Sequence, residues 1–363
     1  MDVRELYDFS KWFLNYGGEA TTLYRTMQTK LEHNSTQPAK EPVLDELKQL
    51  LKTLREMPLH ELTNEQLSLL EQEGVGGLVG SVGAKNVERI VKSARFDPAS
   101  AHLEFQKMHA SMSETQAHMQ IIKDSLSSVV SITEEEPDFE HITIRIHFKE
   151  SASISDVVEW KEWSNEWYDI VRGIAICVDE PPENVKVLGA HQGSVIMVLG
   201  ATAAVTSLLL LISNHLTKIA LNGLQVANGI QDLKHKVKLN KALIDGLEKS
   251  VEQSEKDAIK TLISEAKASL PSPINGEQET ALKKSVEKYQ KFTTKGGEVD
   301  FISPPEPDKD TTKDLNEGEI QQITNVRENI EQLRDAREET RLLTNQSGEE
   351  EDFEDEDLND EVE

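Results

Sequence analysis

A chain with 66 acidic and 39 basic residues has no Lys, Arg, Asp or Glu between Lys186 and Lys218. From Val195 to Ile212 only Gly200, Thr202, Thr206 and Ser207 interrupt the apolar run. Such a run must be withdrawn from water, since each Å² of apolar surface buried is worth about 25 cal/mol. Two structures can do this. In one, residues 194–212 span a bilayer, which takes roughly 20 apolar residues without charge. In the other, Ser194–Leu199 is a buried strand, Gly200 breaks it, and a helix from Ala201 packs its apolar sides on other helices, including those of other copies. Either way Val195, Ile196, Val198, Leu199, Val205, Leu208, Leu209 and Ile212 carry the contact.

Charges return after Ile212, but the helical period does not stop. Leu209, Ile212, Leu216, Ile219, Gly223, Val226, Ile230, Leu233, Val237, Asn240, Ile244, Leu247 and Val251 step by three and four, the spacing of a coiled-coil seam. Asn240 is a polar interruption of the type that fixes register. The pattern predicts one long helix over 201–269. Lys234, Lys236, Lys238 and Lys241 form a basic cluster on it. They are a solvated face in a soluble chain, and a contact for anionic headgroups if the apolar run spans a membrane.

The remaining composition excludes more than it assigns. A net charge of −27 argues against a general nucleic-acid surface, which needs a basic footprint. A single cysteine, Cys177 in the run Ile174-Ala175-Ile176-Cys177-Val178, rules out intrachain disulfides and cysteine-rich zinc sites; it reads as a buried thiol, not a nucleophile. The beginning MDVRELYDFS has no signal-peptide core, so the chain is expected in the cytoplasm or at an inner membrane, not secreted. No cofactor motif, catalytic triad or metal-ligand set is legible.

Before the apolar run the pattern is helical. Residues 1–33 read as two short helices broken at Gly17-Gly18, followed by a linker over 34–42. Val43, Leu47, Leu50 and Leu54 line a further helix that Pro58 ends, and Thr63 with Gln66 has capping-box spacing for the next. Gly74, Gly76, Gly77, Gly80 and Gly83 then precede a helix with Lys85, Arg89 and Lys92. The spacing misses the phosphate loop, because Ala84 stands before Lys85 and Asn86 after it, and Val79 occupies the third glycine position of the dinucleotide fingerprint. A tight turn between packed helices is the simpler reading; contact with a nucleotide or DNA backbone is the alternative. Asp97-Pro98 opens another helix, expected to reach Ile132. Its seam, Phe105, Met108, Met112, Met119, Ile122 and Leu126, reads as core packing or as an adaptable methionine-rich surface. His102, His109 and His118 lie on it without a metal-binding pattern.

After the acidic segment 133–138, Ile142, Ile144, Ile146 and Phe148 alternate with Thr143, Arg145, His147 and Lys149, a half-buried strand. Trp160, Trp163, Trp167, Ile170 and Ile174 stripe a helix, VKVL and SVIMVL make a hairpin, and EVDFIS is a last strand. Strand, helix, strand, strand, helix, strand over 139–305 is the ferredoxin-like βαββαβ order with a greatly lengthened second helix. The predicted class is α+β, mostly α. Residues 1–96 form a helical N-terminal module, 97–132 a connecting helix, 139–305 the α/β module, 306–348 a linker and C-terminal helix with a seam at Ile323, Val326, Ile330 and Leu333, and 349–363 an acidic tail.

Gly193-Ser194-Val195-Ile196-Met197-Val198-Leu199 and the apolar helix after Gly200 resemble a strand–helix pair in small α/β modules of bacterial conflict, or immune, systems; the resemblance covers residues 139–213. It implies a membrane-acting or oligomerising effector, for instance in antiviral defence, and carries over no catalytic residue. Taken together the residues predict a non-enzymatic, self-associating scaffold or adaptor, with a single-span membrane effector and a nucleotide- or DNA-contacting subunit as alternatives. Further copies of the chain are the expected partners; other protein subunits and a membrane come next, nucleic acid last. No cofactor is expected.

Overall fold

The computed structural model describes residues 1–94, 98–130, 141–191, 195–236, 241–270, 272–303, 320–337 and 339–340. The protein is mostly helical, with one small four-stranded antiparallel sheet. It divides into two compact units, Met1–Glu136 and Pro137–Glu363.

The first unit is all helix: α1 (Val3–Thr36), α2 (Leu44–Arg55), α3 (Asn64–Gln72), α4 (Gly80–Ala94) and α5 (Pro98–Leu126). Asp2 with Glu5, and Thr63 with Gln66, form capping boxes that satisfy the first amides of α1 and α3. α1 packs on α2 and α5, and α4 on the same two, so four helices close around one core. The expected break at Gly17-Gly18 is absent: α1 runs through both. A helix interior tolerates glycine at a cost of about 1 kcal/mol, and here a Cβ on Gly17 would press on the Phe13 ring at 3.1 Å. The methionine seam faces inward. Phe105, Met108, Met112 and Met119 are buried, Ile122 is partly buried, and α5 stops at Leu126 instead of Ile132. The helix set apart as a connector is thus a wall of this unit.

The second unit runs β1 (Ile142–His147), α6 (Val157–Cys177), β2 (Lys186–His191), β3 (Ile196–Ala201), α7 (Ala203–Lys236), α8 (Lys241–Ala268), α9 (Gly276–Thr294) and β4 (Glu298–Ile302), with a last helix, α10, over 320–337. The sheet order is β2-β3-β1-β4 and every neighbour is antiparallel. Ile142, Ile144, Ile146, Leu199, Ala201, Val299 and Phe301 join the core shared with α6, α7 and α9. Trp163, Trp167, Tyr289 and Phe292 fill its centre; the Phe292 ring meets Trp163 and Trp167 edge-on at 5.2 and 5.1 Å. Trp160, expected on the same stripe, sits about 50° off its centre at 100° per residue and is 38% exposed.

Two further expectations are corrected. β1 is not half-buried: Arg145 and His147, on the face away from the helices, are buried as well. Arg145 stands directly across from Asp300 on β4, and the Asp300 carboxylate is met by Arg334 of α10 at 3.4 Å, the opposite charge that a buried carboxylate needs. Nor is 201–269 one helix. α7 and α8 run antiparallel: His215 bonds Glu265 at 2.8 Å, and further along α7 a Cβ on Gly223 would meet Glu255 at 3.7 Å, earlier on α8. The residues between the two helices, 237–240, lie outside the described set.

α6 and α9 are also joined by charge. Lys288 bridges Glu166 at 2.6 Å and Asp169 at 2.7 Å; Lys291 reaches Glu166 and Lys284 reaches Asp169. Partial burial raises the Glu166 pKa, but Lys288 and Lys291 outweigh it and the net shift is downward. The Lys288 and Lys284 hydrogen bonds hold Asp169 below its usual range. Carboxylates depressed on folding stabilise above their unfolded value, about 4, and that stability is lost as pH falls through the folded value. Acid unfolding of the wild type should therefore steepen below about pH 4. Lys288→Met should flatten that dependence, as read from urea midpoints across pH 2–7; an unchanged slope would assign the acid sensitivity elsewhere.

Candidate functional site

α7 holds the charge-free stretch, and its surroundings define what that stretch can do. Thr202 caps the helix: its hydroxyl accepts from the Val205 amide at 3.4 Å and donates to the Glu180 carboxylate at 2.9 Å. Gly200 and Ala201 close β3 just before it. Val205, Leu208, Leu209, Leu210, Ile212 and Leu216 are all buried in the core of their own unit. In β3, Leu199 faces the same core; Ile196 and Val198 are buried on the opposite face, and Val195 is partly buried where its carbonyl accepts from the Phe148 amide.

Ser213-Asn214-His215, the polar step that ends the apolar run, ties α7 to three other helices. Ser213 Oγ donates to Leu209 O at 2.8 Å, so the Tyr289 hydroxyl of α9 donates to Ser213. Burial pushes the Tyr289 hydroxyl up to about 12, partly offset by the Ser213 bond, which keeps it a proton donor. Asn214 Nδ2 donates to Asn329 O of α10 at 3.3 Å, and His215 Nε2 meets Glu265 of α8. Ser213 Oγ, Asn214 Nδ2 and His215 Nε2 thus each have a protein partner where α7 leaves the core. Buried polar groups cost about 1–3 kcal/mol when stripped of such partners.

Beyond Leu221 the pattern changes. Leu224 and Ile230 are partly buried, and Val226 is 45% exposed. α8 answers with partly buried Val251, Ala258 and Ile259. Over residues 222–230 α7 therefore runs about 13 Å alongside α8 with an incompletely covered apolar seam. Leu233, Lys234 and Lys236 lie on the final turns of α7, and Lys241 opens α8. Val237, Lys238 and Asn240 lie outside the described residues.

α7 is also the one described helix long and apolar enough to cross a membrane, over Ala203–Ile230, and 56% of its apolar window is buried inside the chain.

The glycine-rich turn of the first unit is occupied by structure. Gly74 and Gly80 have φ of +73° and +60°, where a side chain is strained. A Cβ on Gly83 would lie 2.5 Å from the Leu78 backbone. The Gly77 and Leu78 carbonyls accept from Asn86 Nδ2 and Tyr24 Oη at 2.9 and 2.8 Å. Elsewhere, burial raises the Cys177 thiol to about 11, unsuited to nucleophilic work. Among the described residues no three His, Cys, Asp or Glu side chains converge on a metal-sized site. His118 pairs instead with Glu73 at 2.7 Å.

Two features were not foreseen. β4 is an edge strand, and α10 lies on it: Arg337 Nη2 donates to Val299 O at 2.7 Å and Arg334 Nη2 to Phe301 O at 3.3 Å. On β2, at the other edge, Val187 and Leu188 are 70% and 54% exposed. Alternation alone would have pointed one of them inward.

Comparison with protein-family models, with curated proteins and with solved structures returns no match.

Leu210→Ala, inside the core, should cost about 2–5 kcal/mol, whereas Val226→Ala should stay within about 0.5 kcal/mol; equal losses in chemical denaturation would contradict the division of α7 into root and arm. Gly83→Ala should cost about 1–3 kcal/mol from overpacking against the turn, read by the same method.

Proposed function

We propose that this chain is a non-enzymatic scaffold that associates with copies of itself through the α7–α8 arm. What carries the reading is the contrast along a single helix. The root of α7 is consumed by the core, while the arm continues the apolar spacing with Val226 open and Leu224 and Ile230 half-covered. A two-helix arm has too few neighbours to bury its own seam; laying two arms together gives each apolar stripe the partners of a four-helix bundle. The arm is long enough for such pairing to be specific, since knobs-into-holes packing repeats at each turn.

We read the second unit as ferredoxin-like, with the helical hairpin inserted into its second crossover. The sheet order β2-β3-β1-β4 with antiparallel neighbours supports this. In that frame α7 and α8 are an elaboration grown from a compact base, which suits an assembly device. The resemblance of residues 139–213 to modules of bacterial defence systems points to the same use, an effector that works by oligomerising.

A second reading has one observation in its favour: the length and hydropathy of Ala203–Ile230. As a bilayer span, α7 would withdraw Leu208, Leu209, Leu210 and Ile212 from the core and strand Tyr289, Asn329 and Glu265 without their α7 partners. The energetic cost of that exchange favours the soluble assembly.

Sedimentation of the full chain should give a concentration-dependent mass above that of one copy without detergent, and Val226→Glu with Ile230→Glu should lower it. A detergent-independent monomer at every concentration would overturn the scaffold reading. Carbonate-resistant pelleting with membranes would favour the span.

A further inference from the structure

The two edges of the sheet are treated differently. An edge strand presents a row of backbone donors and acceptors to any other strand, and folded proteins blunt that row with charge, proline or a covering element. At β4 this is done twice over: Arg334 and Arg337 take the outward carbonyls of alternate residues, Phe301 and Val299, and α10 buries Ile323, Val326, Ile330 and Leu333 beside them. At β2 the opposite is found. Among the described residues its sheet neighbour is β3 alone. The register between the two strands shifts between Val187 and Gly189, and the bulge at Leu188 turns that side chain over Gly200, where an added Cβ would lie 3.3 Å from Leu188 Cδ1. Bulges commonly protect an edge by twisting it away or aiming a charge outward. This one leaves two consecutive apolar side chains, Val187 and Leu188, in solvent.

We propose that β2 pairs antiparallel with β2 of a second copy, joining two sheets edge to edge across a two-fold axis. The inference rests on the self-association reading and adds a second meeting surface, separate from the arm. Charge selects the occupant. Each copy carries −27, yet β2 and β3 contain no acidic residue, and Lys186 is their single charge outside histidine. Two copies of so acidic a chain repel over most approaches at separations within a Debye length, about 8 Å at physiological salt. The acid-free edge is a place where they can touch without carboxylates facing carboxylates. A two-fold contact is self-complementary by construction, and antiparallel strands satisfy it with backbone bonds from both sides while covering Val187 and Leu188 of each copy.

The test uses the full chain. V187K/L188K places charge on the edge at two exposed positions; Glu183→Lys, on the exposed approach to the strand, makes the same change in net charge off the edge. Sedimentation should show a lower mass for V187K/L188K than for wild type and no change for Glu183→Lys, with circular dichroism unchanged in all three. Independently of any substitution, amides 186–191 of the wild type should exchange at least about tenfold more slowly at high concentration than at high dilution. If the wild type assembles but V187K/L188K has the same mass and amides 186–191 exchange at one rate throughout, the edge pairing is wrong and self-association stands; a strand from a different protein as the natural occupant would give this same result. If the wild type is a monomer throughout, both fail.

Discussion

The second unit depends on the burial of one uncharged helix segment. Between Val205 and Leu216, α7 supplies the core with six fully enclosed aliphatic side chains and is held at its lower end by bonds to α8, α9 and α10 from three successive residues. Each large aliphatic side chain so buried is worth about 1.5–3 kcal/mol. β3, which leads into it, lies inside the sheet and is buried on both faces. The absence of charge from Ile196 to Leu216 is therefore explained by packing: nearly every position in β3 and in the α7 root meets protein.

That constraint organises what surrounds it. Because α7 is anchored at its root, its continuation and the antiparallel α8 emerge as an arm with an unfinished seam. α10 is spent on the β4 edge and on α7, and among the described residues the opposite edge at β2 pairs with β3 alone. The surfaces available for association are set by where the core ends. β2 has no acid and the last fifteen residues of α7 have one, Asp232, whereas α8 carries six; for a molecule of net charge −27 the β2 edge is where repulsion between copies is weakest.

Much of this was legible in the sequence, for local reasons. Alternation located β1, the spacing of Thr63 and Gln66 marked the start of α3, and the three–four spacing of the methionine seam ran along the face of α5 that is buried. What failed was decided by tertiary contacts. Gly17 and Gly18 do not break α1, because a long helix docked along α5 outweighs a local propensity cost. The sequence between α7 and α8 has no proline or glycine, and the heptad-like spacing runs straight through, so one helix and an antiparallel pair share one pattern. Arg145 and His147 read as solvent-facing, since alternation assigns faces but not whether the second face is covered. The arginines of α10 were unremarkable in a charged helix; only the spacing of Arg334 and Arg337, one turn apart, offered a signal, and it matches too many surface helices to single out an edge strand. For the candidate site, the spacing marks one continuous apolar stripe, and the partition into a buried root and a half-covered arm depends on which neighbours pack against each part.

We propose that the α7 root is the interior of its own unit and not a bilayer span, and site-resolved hydrogen exchange tests this most directly. In detergent-free buffer, amides 205–216 should be among the slowest in the chain, opening only with global unfolding of the second unit, and adding lipid vesicles should leave them unchanged. Rapid exchange in buffer that becomes protected only when vesicles are present would contradict the account and return α7 to the bilayer.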